Sequence, residues 1–223
     1  MDNHTERLAT GVWRIEPGFA VNTYLLANNG TDDAEGLTLV DTGRAGHGAK
    51  VVRSIRLLGF DPRALTDVLL THWHPNHAGA AARFAASSAE PRVWIGKGDA
   101  DVLRGDRPST RRLRQAPALL TTVEPLEDGR TFPAAGGVHV VATGGHTPGH
   151  CALWLPARGV LLAGDLLVNM LRLGAPPRRL DADPSARPAA LERLAACEPA
   201  VIGVGHGPPV FDATRALHRF TTP

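Results

Sequence analysis

Three histidines fall within six residues in the segment His72-Trp73-His74-Pro75-Asn76-His77. Imidazole is a common ligand of zinc and of non-haem iron. The segment follows the apolar run Val68-Leu69-Leu70, which indicates a strand, and precedes an alanine-rich stretch typical of a helix. Alternate side chains at a strand end point the same way, so His72 and His74 can face one point that His77 faces from the other side. The segment therefore predicts a metal-binding cluster.

Other residues of the same chemical types follow apolar strands elsewhere in the chain. They are Asp41, His146, Asp165 and His206, each close to a glycine. Because a rigid sheet positions the loops at its strand ends, these side chains could converge on the histidine cluster. Three neutral imidazoles leave an open position on a tetrahedral zinc, and we take His72, His74 and His146 as one such set.

A second set of candidate ligands consists of His77, Asp165, His206 and Asn76. Asp165 is the only negatively charged candidate in the two sets, which makes it the natural bridge between two cations. The pKa of a bound water would fall to about 7, giving hydroxide at neutral pH. The residues therefore predict one or two metal ions, with zinc favoured and iron or manganese as alternatives.

The order of these motifs resembles the metallo-β-lactamase superfamily, whose motif is His-x-His-x-Asp-His followed by a distant His, an Asp and a final His. Asp41-Thr42-Gly43, His146-Thr147-Pro148-Gly149-His150 and Gly164-Asp165 also look like its glyoxalase II-like branch. The resemblance covers nearly the whole chain. It implies an α/β fold, an αββα sandwich of two mixed sheets flanked by helices. It also implies that His72, His74 and His146 bind the first metal, and His77, Asp165 and His206 the second.

Asn76 departs from the family motif, which has an aspartate at this position. An amide offers a carbonyl oxygen but no charge, so the second site should bind its metal less tightly. An amide also cannot accept a proton as a carboxylate does. The candidate catalytic residues are Asn76, because the family has a proton-handling aspartate at its position, and Asp165. Three interpretations of Asn76 remain open: a natural variant with one tight and one weak site, a substitution made to weaken turnover, or a member that has lost activity.

Apolar periodicity and turn residues predict the elements that position these side chains. Strands are expected at residues 11–15, 22–27, 37–40, 64–70, 92–95, 138–142, 151–155, 160–163 and 201–204. Helices are expected at 48–58, 78–86, 184–197 and 212–220. At 223 residues, without repeats or a linker, the whole chain 1–223 is expected to form a single domain.

Several residues near the motifs have more than one interpretation. Asp41 is expected to hold a metal-binding loop by hydrogen bonds, and His150 to support a ligand loop rather than bind metal. Trp73 either lines a pocket or packs under its loop, and the apolar stretch 166–171 either packs as a helix or walls an acyl pocket. Five arginines could bind an anionic substrate or form a solvated helix face: Arg104, Arg107, Arg111, Arg112 and Arg114.

Composition limits the function classes. The net charge of +2 does not favour nucleic acid or an anionic membrane as a partner. No run of about 18 apolar residues predicts a transmembrane helix, and the polar N-terminal residues are unlike a secretory signal. We therefore expect a cytoplasmic protein that acts on a small molecule. The oligomeric state is not predicted.

These features favour a metal-dependent hydrolase whose metal-bound hydroxide attacks an ester, thioester or lactone carbonyl. The resemblance to glyoxalase II favours thioesters among these substrates. A first alternative is a mononuclear iron enzyme resembling sulfur dioxygenases, with ligands from His72 or His74, His146 and Asp165. A second is a metal- or ligand-binding protein without turnover.

Overall fold

The computed structural model describes residues 4–18, 20–28, 36–106, 108 and 120–221. Two large sheets and a small hairpin make up its β-structure. Within these ranges, no helix is both long enough and apolar enough to cross a membrane.

The first sheet has seven strands that neighbour one another in chain order. They are β1 (Thr5–Ala9), β2 (Val12–Gly18), β3 (Val21–Ala27), β4 (Leu37–Val40), β5 (Leu65–Leu70), β6 (Arg92–Gly96) and β7 (Glu124–Leu126). Strands β1 to β4 pair antiparallel, whereas β4 to β7 pair parallel, so the sheet is mixed.

The second sheet has six strands in the order β15-β14-β11-β10-β9-β8. In chain order they are β8 (Thr131–Phe132), β9 (Val138–Ala142), β10 (Cys151–Leu155), β11 (Val160–Leu162), β14 (Val201–Gly203) and β15 (Val210–Phe211). Between β11 and β14, the short strands β12 (Val168–Asn169) and β13 (Leu173–Gly174) form the hairpin. The pair β11 and β14 is parallel and the other pairs are antiparallel, so this sheet is also mixed.

Helices cover the outer faces of both sheets. They are α1 (Gly48–Leu57), α2 (Pro75–Ala78), α3 (Ala81–Ala85), α4 (Lys97–Arg104), α5 (Arg187–Ala195) and α6 (Ala213–Thr221). Helices α1, α3 and α4 pack on the first sheet, and α5 and α6 pack on the second. The predicted αββα layering is therefore confirmed.

Strands that are buried on both faces explain the layering. In β3, Leu26 faces the second sheet and Leu25 faces the helices of the first. In β10, Leu153 faces the first sheet and Ala152 faces α5 and α6. Successive side chains of a strand alternate between faces, so continuous apolar sequence supplies three cores at once.

Most of the predicted elements are present, but two helices differ in extent and several short strands were not expected. The helix expected at 78–86 begins only at Ala81 as α3, after α2 ends at Ala78. Between them the backbone N–H of Ala80 donates to the oxygen of Gly43 at 3.3 Å instead of continuing a helix. The helix expected at 184–197 begins only at Arg187. Strand β1 was not expected because its residues Thr5–Ala9 are largely polar.

Candidate metal centre

The predicted ligands lie on four loops that follow strand ends. His72 and His74 follow β5 and His77 lies in α2, while His146 lies between β9 and β10, Asp165 follows β11 and His206 follows β14. The carboxyl ends of β4 and β5, and of β11 and β14, lie side by side because each pair is parallel. All of the predicted ligands are buried except Asn76 and His206, which are half-buried.

Asp165 lies between two groups of imidazoles and directs one carboxylate oxygen toward each. Its Oδ1 is 3.1 Å from Nε2 of His77 and 3.4 Å from Nε2 of His206. Its Oδ2 is 3.6 Å from Nε2 of His146 and 3.9 Å from Nε2 of His72. The structure thus brings together residues separated by more than a hundred positions.

Potential ligand atoms converge in two sets, within each of which they lie no more than 4.8 Å apart. The first set is His72, His74, His146 and Asp165, and the second is His77, Asp165 and His206. In the first set, Nδ1 of His74 and Nε2 of His146 are 3.1 Å apart. Nitrogen and oxygen atoms at these separations can share one cation.

Asp41 and Thr71 determine which ring nitrogens of His77 and His72 face Asp165. The Oδ2 atom of Asp41 lies 2.8 Å from Nδ1 of His77, so Nδ1 donates to Asp41 and Nε2 is the ring nitrogen that faces Asp165. The hydroxyl of Thr71 donates to Asp41, and its oxygen can then accept from Nδ1 of His72 at 3.0 Å. The expectation that Asp41 holds a metal-binding loop by hydrogen bonds agrees with these contacts.

Asp181 has the corresponding role at His146. Its Oδ1 lies 3.2 Å from Nδ1 of His146, and its Oδ2 accepts a hydrogen bond from Arg187. The side chain of Asp181 is only 2% exposed. Burial opposes its ionisation, but His146 and Arg187 together lower the pKa of Asp181. The carboxylate therefore stays charged and directs Nε2 of His146 toward Asp165.

Buried atoms without partners test whether these residues suit a cation. Nε2 of His72 and Oδ1 of Asp165 are buried and have no hydrogen-bond partner among the described residues. Oδ1 has none even though Nε2 of His77 is 3.1 Å away, since that pair lacks hydrogen-bond geometry. Leaving buried polar atoms unsatisfied is costly. Buried ring nitrogens that converge on a buried carboxylate fit a positively charged ion.

The pKa shifts of the candidate ligands also fit a cation site. Burial, followed by the nearby charge of His77 and His74, holds the pKa of His72 well below its usual range. Burial alone would lower the pKa of His77, but Asp165 and Asp41 raise it to about 10. Burial alone would raise the pKa of Asp165, yet His77 and His206 hold it well below its usual range. A cation that binds here thus displaces a proton from His77 and meets an ionised carboxylate.

Comparison with known proteins identifies the family. The chain matches the family model described as the metallo-beta-lactamase superfamily over residues 17–206. This range includes every residue of both donor sets. The chain belongs to the metallo-beta-lactamase superfamily.

Three curated proteins are similar in sequence. The uncharacterized protein YobT of Bacillus subtilis is 29% identical over 66% of this chain and 62% of its own length. The probable metallo-hydrolase YflN of the same species is 26% identical over 77% of this chain and 75% of its own length. The thioesterase pkgB of Emericella nidulans is 28% identical over 89% of this chain and 49% of its own length. The chain therefore spans less than two thirds of two of these relatives.

A solved structure gives the same result for the fold. The metallo-beta-lactamase family protein TTHA1429 from Thermus thermophilus superposes with a TM-score of 0.75 at 25% identity. The superposition covers 95% of this chain and 78% of that chain. The αββα arrangement is therefore the metallo-beta-lactamase fold.

Asn76 lies beside the second donor set. Its Nδ2 is 3.0 Å from Nε2 of His206 and can donate a hydrogen bond to it. A cation at the second donor set would have to displace this contact. Asn76 has no corresponding contact with a residue of the first donor set among the described residues.

Asp99 ties two of the ligand loops together, and the sequence motifs did not indicate it. It is fully buried in the first turn of α4. Its Oδ2 accepts from the backbone N–H of Trp73 at 3.1 Å and the hydroxyl of Thr147 at 2.6 Å, and its Oδ1 from the N–H of Gly149 at 2.8 Å. Burial raises the pKa of Asp99, and these three donors oppose the rise.

The loop that carries His206 is fixed by β3. The side-chain amide of Asn22 donates to the backbone oxygens of Val204 and Gly207, and the hydroxyl of Tyr24 donates to Val204. Neither residue was a sequence candidate. An asparagine that is fully buried in an apolar strand was the available signal, because such an amide must find partners inside the protein.

Close packing also leaves no room for side chains around Asp165. A Cβ on Gly205 would lie 2.0 Å from Oδ1 of Asp165, and one on Gly164 would lie 2.6 Å from Nε2 of His150. His150 is buried, its Nδ1 contacts the hydroxyl of Thr143 at 2.6 Å, and it is in neither donor set. These contacts agree with its expected role as support for a ligand loop.

A cavity of about 370 Å³ opens beside the first donor set. Its lining includes Trp73, His74, His146, Thr147, Pro148, Arg179, Leu180, Asp181 and Ala182. Trp73 thus lines a pocket and is also 3% exposed, so both of its expected interpretations apply. Of the stretch 166–171, Leu166 and Leu167 are core residues, whereas Met170 and Leu171 are exposed at the tip of the β12–β13 hairpin.

Of the five arginines that could bind an anionic substrate, Arg104 is the one within the described residues. Arg104 pairs with Asp101 and Asp106 on the surface, which is a solvated arrangement rather than a ligand clamp. Arg107, Arg111, Arg112 and Arg114 lie outside the described residues.

Proposed function

We propose that the protein is a metal-dependent hydrolase that cleaves an ester, thioester or lactone. The observation that carries the proposal is the position of Asp165, with one carboxylate oxygen toward each of two imidazole groups. The relatives named as a probable metallo-hydrolase and a thioesterase support it. The motifs that resemble glyoxalase II favour a thioester among these substrates. The substrate is a small molecule, since the cavity holds about 370 Å³.

In this proposal, one group of residues binds metal and another group orients the metal ligands. His72, His74, His146 and Asp165 hold one cation, and His77, Asp165 and His206 hold a second. Such a cation, zinc in our proposal, supplies an acidified water as nucleophile and positive charge for the oxygen of the attacked carbonyl. Asp41 and Asp181 orient two of the imidazoles, and the ring of Trp73 packs edge-on against His74 with the ring centroids 4.7 Å apart.

Loss of the usual acid–base group makes Asn76 a determinant of both metal number and rate. Its amide cannot take up a proton, so proton transfer near the nucleophile is left to Asp165. Its hydrogen bond to His206 weakens the second site but not the first. We therefore propose one tightly and one weakly bound metal ion.

Metal analysis and a substrate panel test this function together. The purified protein is assayed for zinc, iron and manganese and for hydrolysis of esters, thioesters and lactones, before and after removal of metal with a chelator. Activity that is lost on chelation and regained with zinc is the expected result. His146→Ala should abolish the regain, whereas His139→Ala, at an exposed position of β9, should leave it unchanged.

Two outcomes would contradict the proposal. Metal-loaded protein without turnover on the whole panel would instead make it a binding protein. Turnover that persists without metal would reject the metal-dependent step.

A mononuclear iron enzyme resembling sulfur dioxygenases is the second candidate. The hydrogen bond between Asn76 and His206 favours it, because it leaves the first donor set as the better single site. Elemental analysis separates the candidates: iron at one per chain supports the oxygenase, and zinc supports the hydrolase. Asn76→Asp should raise the zinc occupancy of the second donor set. Unchanged occupancy would reject the argument that the missing negative charge at Asn76 weakens this site.

A further inference from the structure

The cavity beside His74 and His146 is lined by an arginine, Arg179, that forms no ion pair with any described residue. Arg179 is also exposed. The cavity is the place where a substrate would reach the first donor set. Its rim therefore presents an uncompensated positive charge to whatever enters.

The acid in the same cavity does not compensate this charge. Asp181 is engaged by His146 on one carboxylate oxygen and by Arg187 on the other, and its side chain is 2% exposed. The next acid in the chain, Asp183, accepts hydrogen bonds from Ser185 instead. The charge of Arg179 is thus free for a ligand.

The segment that carries Arg179 is fixed relative to the metal-ligand loop. The N–H of Ala182 donates to the oxygen of His146 at 3.1 Å, and the N–H of Asp183 donates to the oxygen of Gly145 at 2.8 Å. Together with the contact between Asp181 and His146, these bonds hold the short helical turn Arg178–Leu180 over the cavity. A guanidinium on a fixed segment can select a ligand by charge and position.

We propose that Arg179 binds a carboxylate on the substrate, so that the preferred substrate is a small ester or thioester whose acyl chain ends in a carboxylate. This inference rests on the proposed hydrolase function. A guanidinium matches a carboxylate in geometry and in charge, and its hydrogen bonds to one are stronger than neutral ones. The apolar part of the acyl chain would lie against Trp73, Pro148 and Leu180, which line the same cavity.

Arg178 provides a matched control. It neighbours Arg179, is also exposed, and is not among the residues that line the cavity. The zinc-loaded protein and its Arg179→Gln and Arg178→Gln variants are compared on two thioesters of N-acetylcysteamine. One carries a glutaryl chain that ends in a carboxylate, and the other carries the neutral pentanoyl chain of the same length.

The expected result is a selective change in KM. Arg179→Gln should raise KM for the glutaryl thioester about tenfold, the effect of one charge-assisted contact, and leave KM for the pentanoyl thioester unchanged. Arg178→Gln should change neither. Equal effects of the two variants, or of either variant on both thioesters, would overturn the assignment of Arg179.

Calorimetry with glutaramate, which has a carboxylate at one end and an amide at the other, and with neutral pentanamide tests the carboxylate site without turnover. Wild-type protein should bind glutaramate about tenfold more tightly than pentanamide, and Arg179→Gln should remove that difference. Equal binding of the two ligands by wild-type protein would overturn the inference even if both thioesters were hydrolysed. If neither thioester were hydrolysed, the hydrolase proposal would fail for these substrates, while the calorimetric result would still decide the carboxylate site.

Discussion

Two acids, Asp41 and Asp181, determine which ring nitrogens of His77 and His146 face Asp165. A carboxylate that accepts the proton of Nδ1 fixes the tautomer and strengthens Nε2 as a donor to a metal. Arg187 in turn holds Asp181. At the residue scale, the site therefore depends as much on the acids behind the histidines as on the histidines.

Asp181→Asn tests this dependence. An amide can present its oxygen to His146 but loses the charge that Arg187 stabilises, so metal affinity should fall roughly 10- to 100-fold. Competition with a chromophoric chelator measures that affinity. Asp183→Asn is the matched control, because Asp183 is exposed and contacts Ser185. The metal affinity of this variant should equal that of wild-type protein. Equal affinity of Asp181→Asn and wild-type protein would show that Asp181 does not orient the ligand.

The sequence predicted the donors and the supporting role of Asp41, but it did not indicate Asp99 or Asp181. The histidine segment, His146, Asp165 and His206 were found because they stand in motifs at strand ends. Asp99 and Asp181 stand in no motif, and their partners on the ligand loops lie 26 to 50 positions away from them in the chain. Such contacts depend on how two loops are juxtaposed, which local periodicity does not contain.

At the scale of secondary-structure elements, helix α4 joins two ligand loops through the side chain of Asp99. The three hydrogen bonds of its carboxylate hold Trp73 in one loop and Thr147 and Gly149 in the other. Gly96 and Gly149 pack so closely that a Cβ on Gly96 would lie 1.9 Å from the oxygen of Gly149. The loops therefore form one unit with the start of α4.

Asp99→Ala should destabilise the metal-free protein by about 3 kcal/mol, since it leaves three buried donors without an acceptor. Urea denaturation of the metal-free protein measures the free energy of unfolding. Asp101→Ala, two residues further along α4, removes a half-exposed surface pair with Arg104 and should cost less than about 1 kcal/mol. Similar losses in the two variants would contradict the role of Asp99.

Gly205→Ala tests the packing of the His206 loop against Asp165. The added Cβ would lie 2.0 Å from Oδ1 of Asp165, so the carboxylate must move away from both imidazole groups. Metal content after dialysis should fall below that of wild-type protein, and stability should fall by about 1–3 kcal/mol. Gly46→Ala, where a Cβ would meet nothing within 4 Å, should retain full metal content. Retention of metal by both variants would show that the loop can yield.

The donors belong to different sheets at the scale of the molecule. His72, His74 and His77 follow the first sheet, whereas His146, Asp165 and His206 follow strands of the second. The layering was predicted from the resemblance to the superfamily, and strands buried on both faces agree with it. Strand β1 and the interruption between α2 and α3 were not predicted. The first is largely polar, and the second depends on a backbone hydrogen bond from Ala80 to Gly43 across the fold.

A cation that bridges the sheets should raise the thermal stability of the whole protein. With free metal at a hundred times its dissociation constant, the midpoint of unfolding should rise by about 5–10 °C over chelated protein. Differential scanning fluorimetry measures the change. The variant His146→Ala, which lacks one first-set donor, should show a much smaller rise. The same rise in both proteins would mean that the metal binds elsewhere.

The contact between Asn76 and His206 joins residues 130 positions apart, and that between His74 and His146 joins residues 72 positions apart. During synthesis on the ribosome, the segment from His72 to His77 emerges long before His206 is made. A cation met at that stage would bind a partial, solvent-exposed cluster, as unfolded histidines can. In the finished fold the same histidines are buried, and the cavity gives access only to the first donor set. We therefore expect two routes of metal loading, one during synthesis and one after folding, which differ in the donors that the ion meets first.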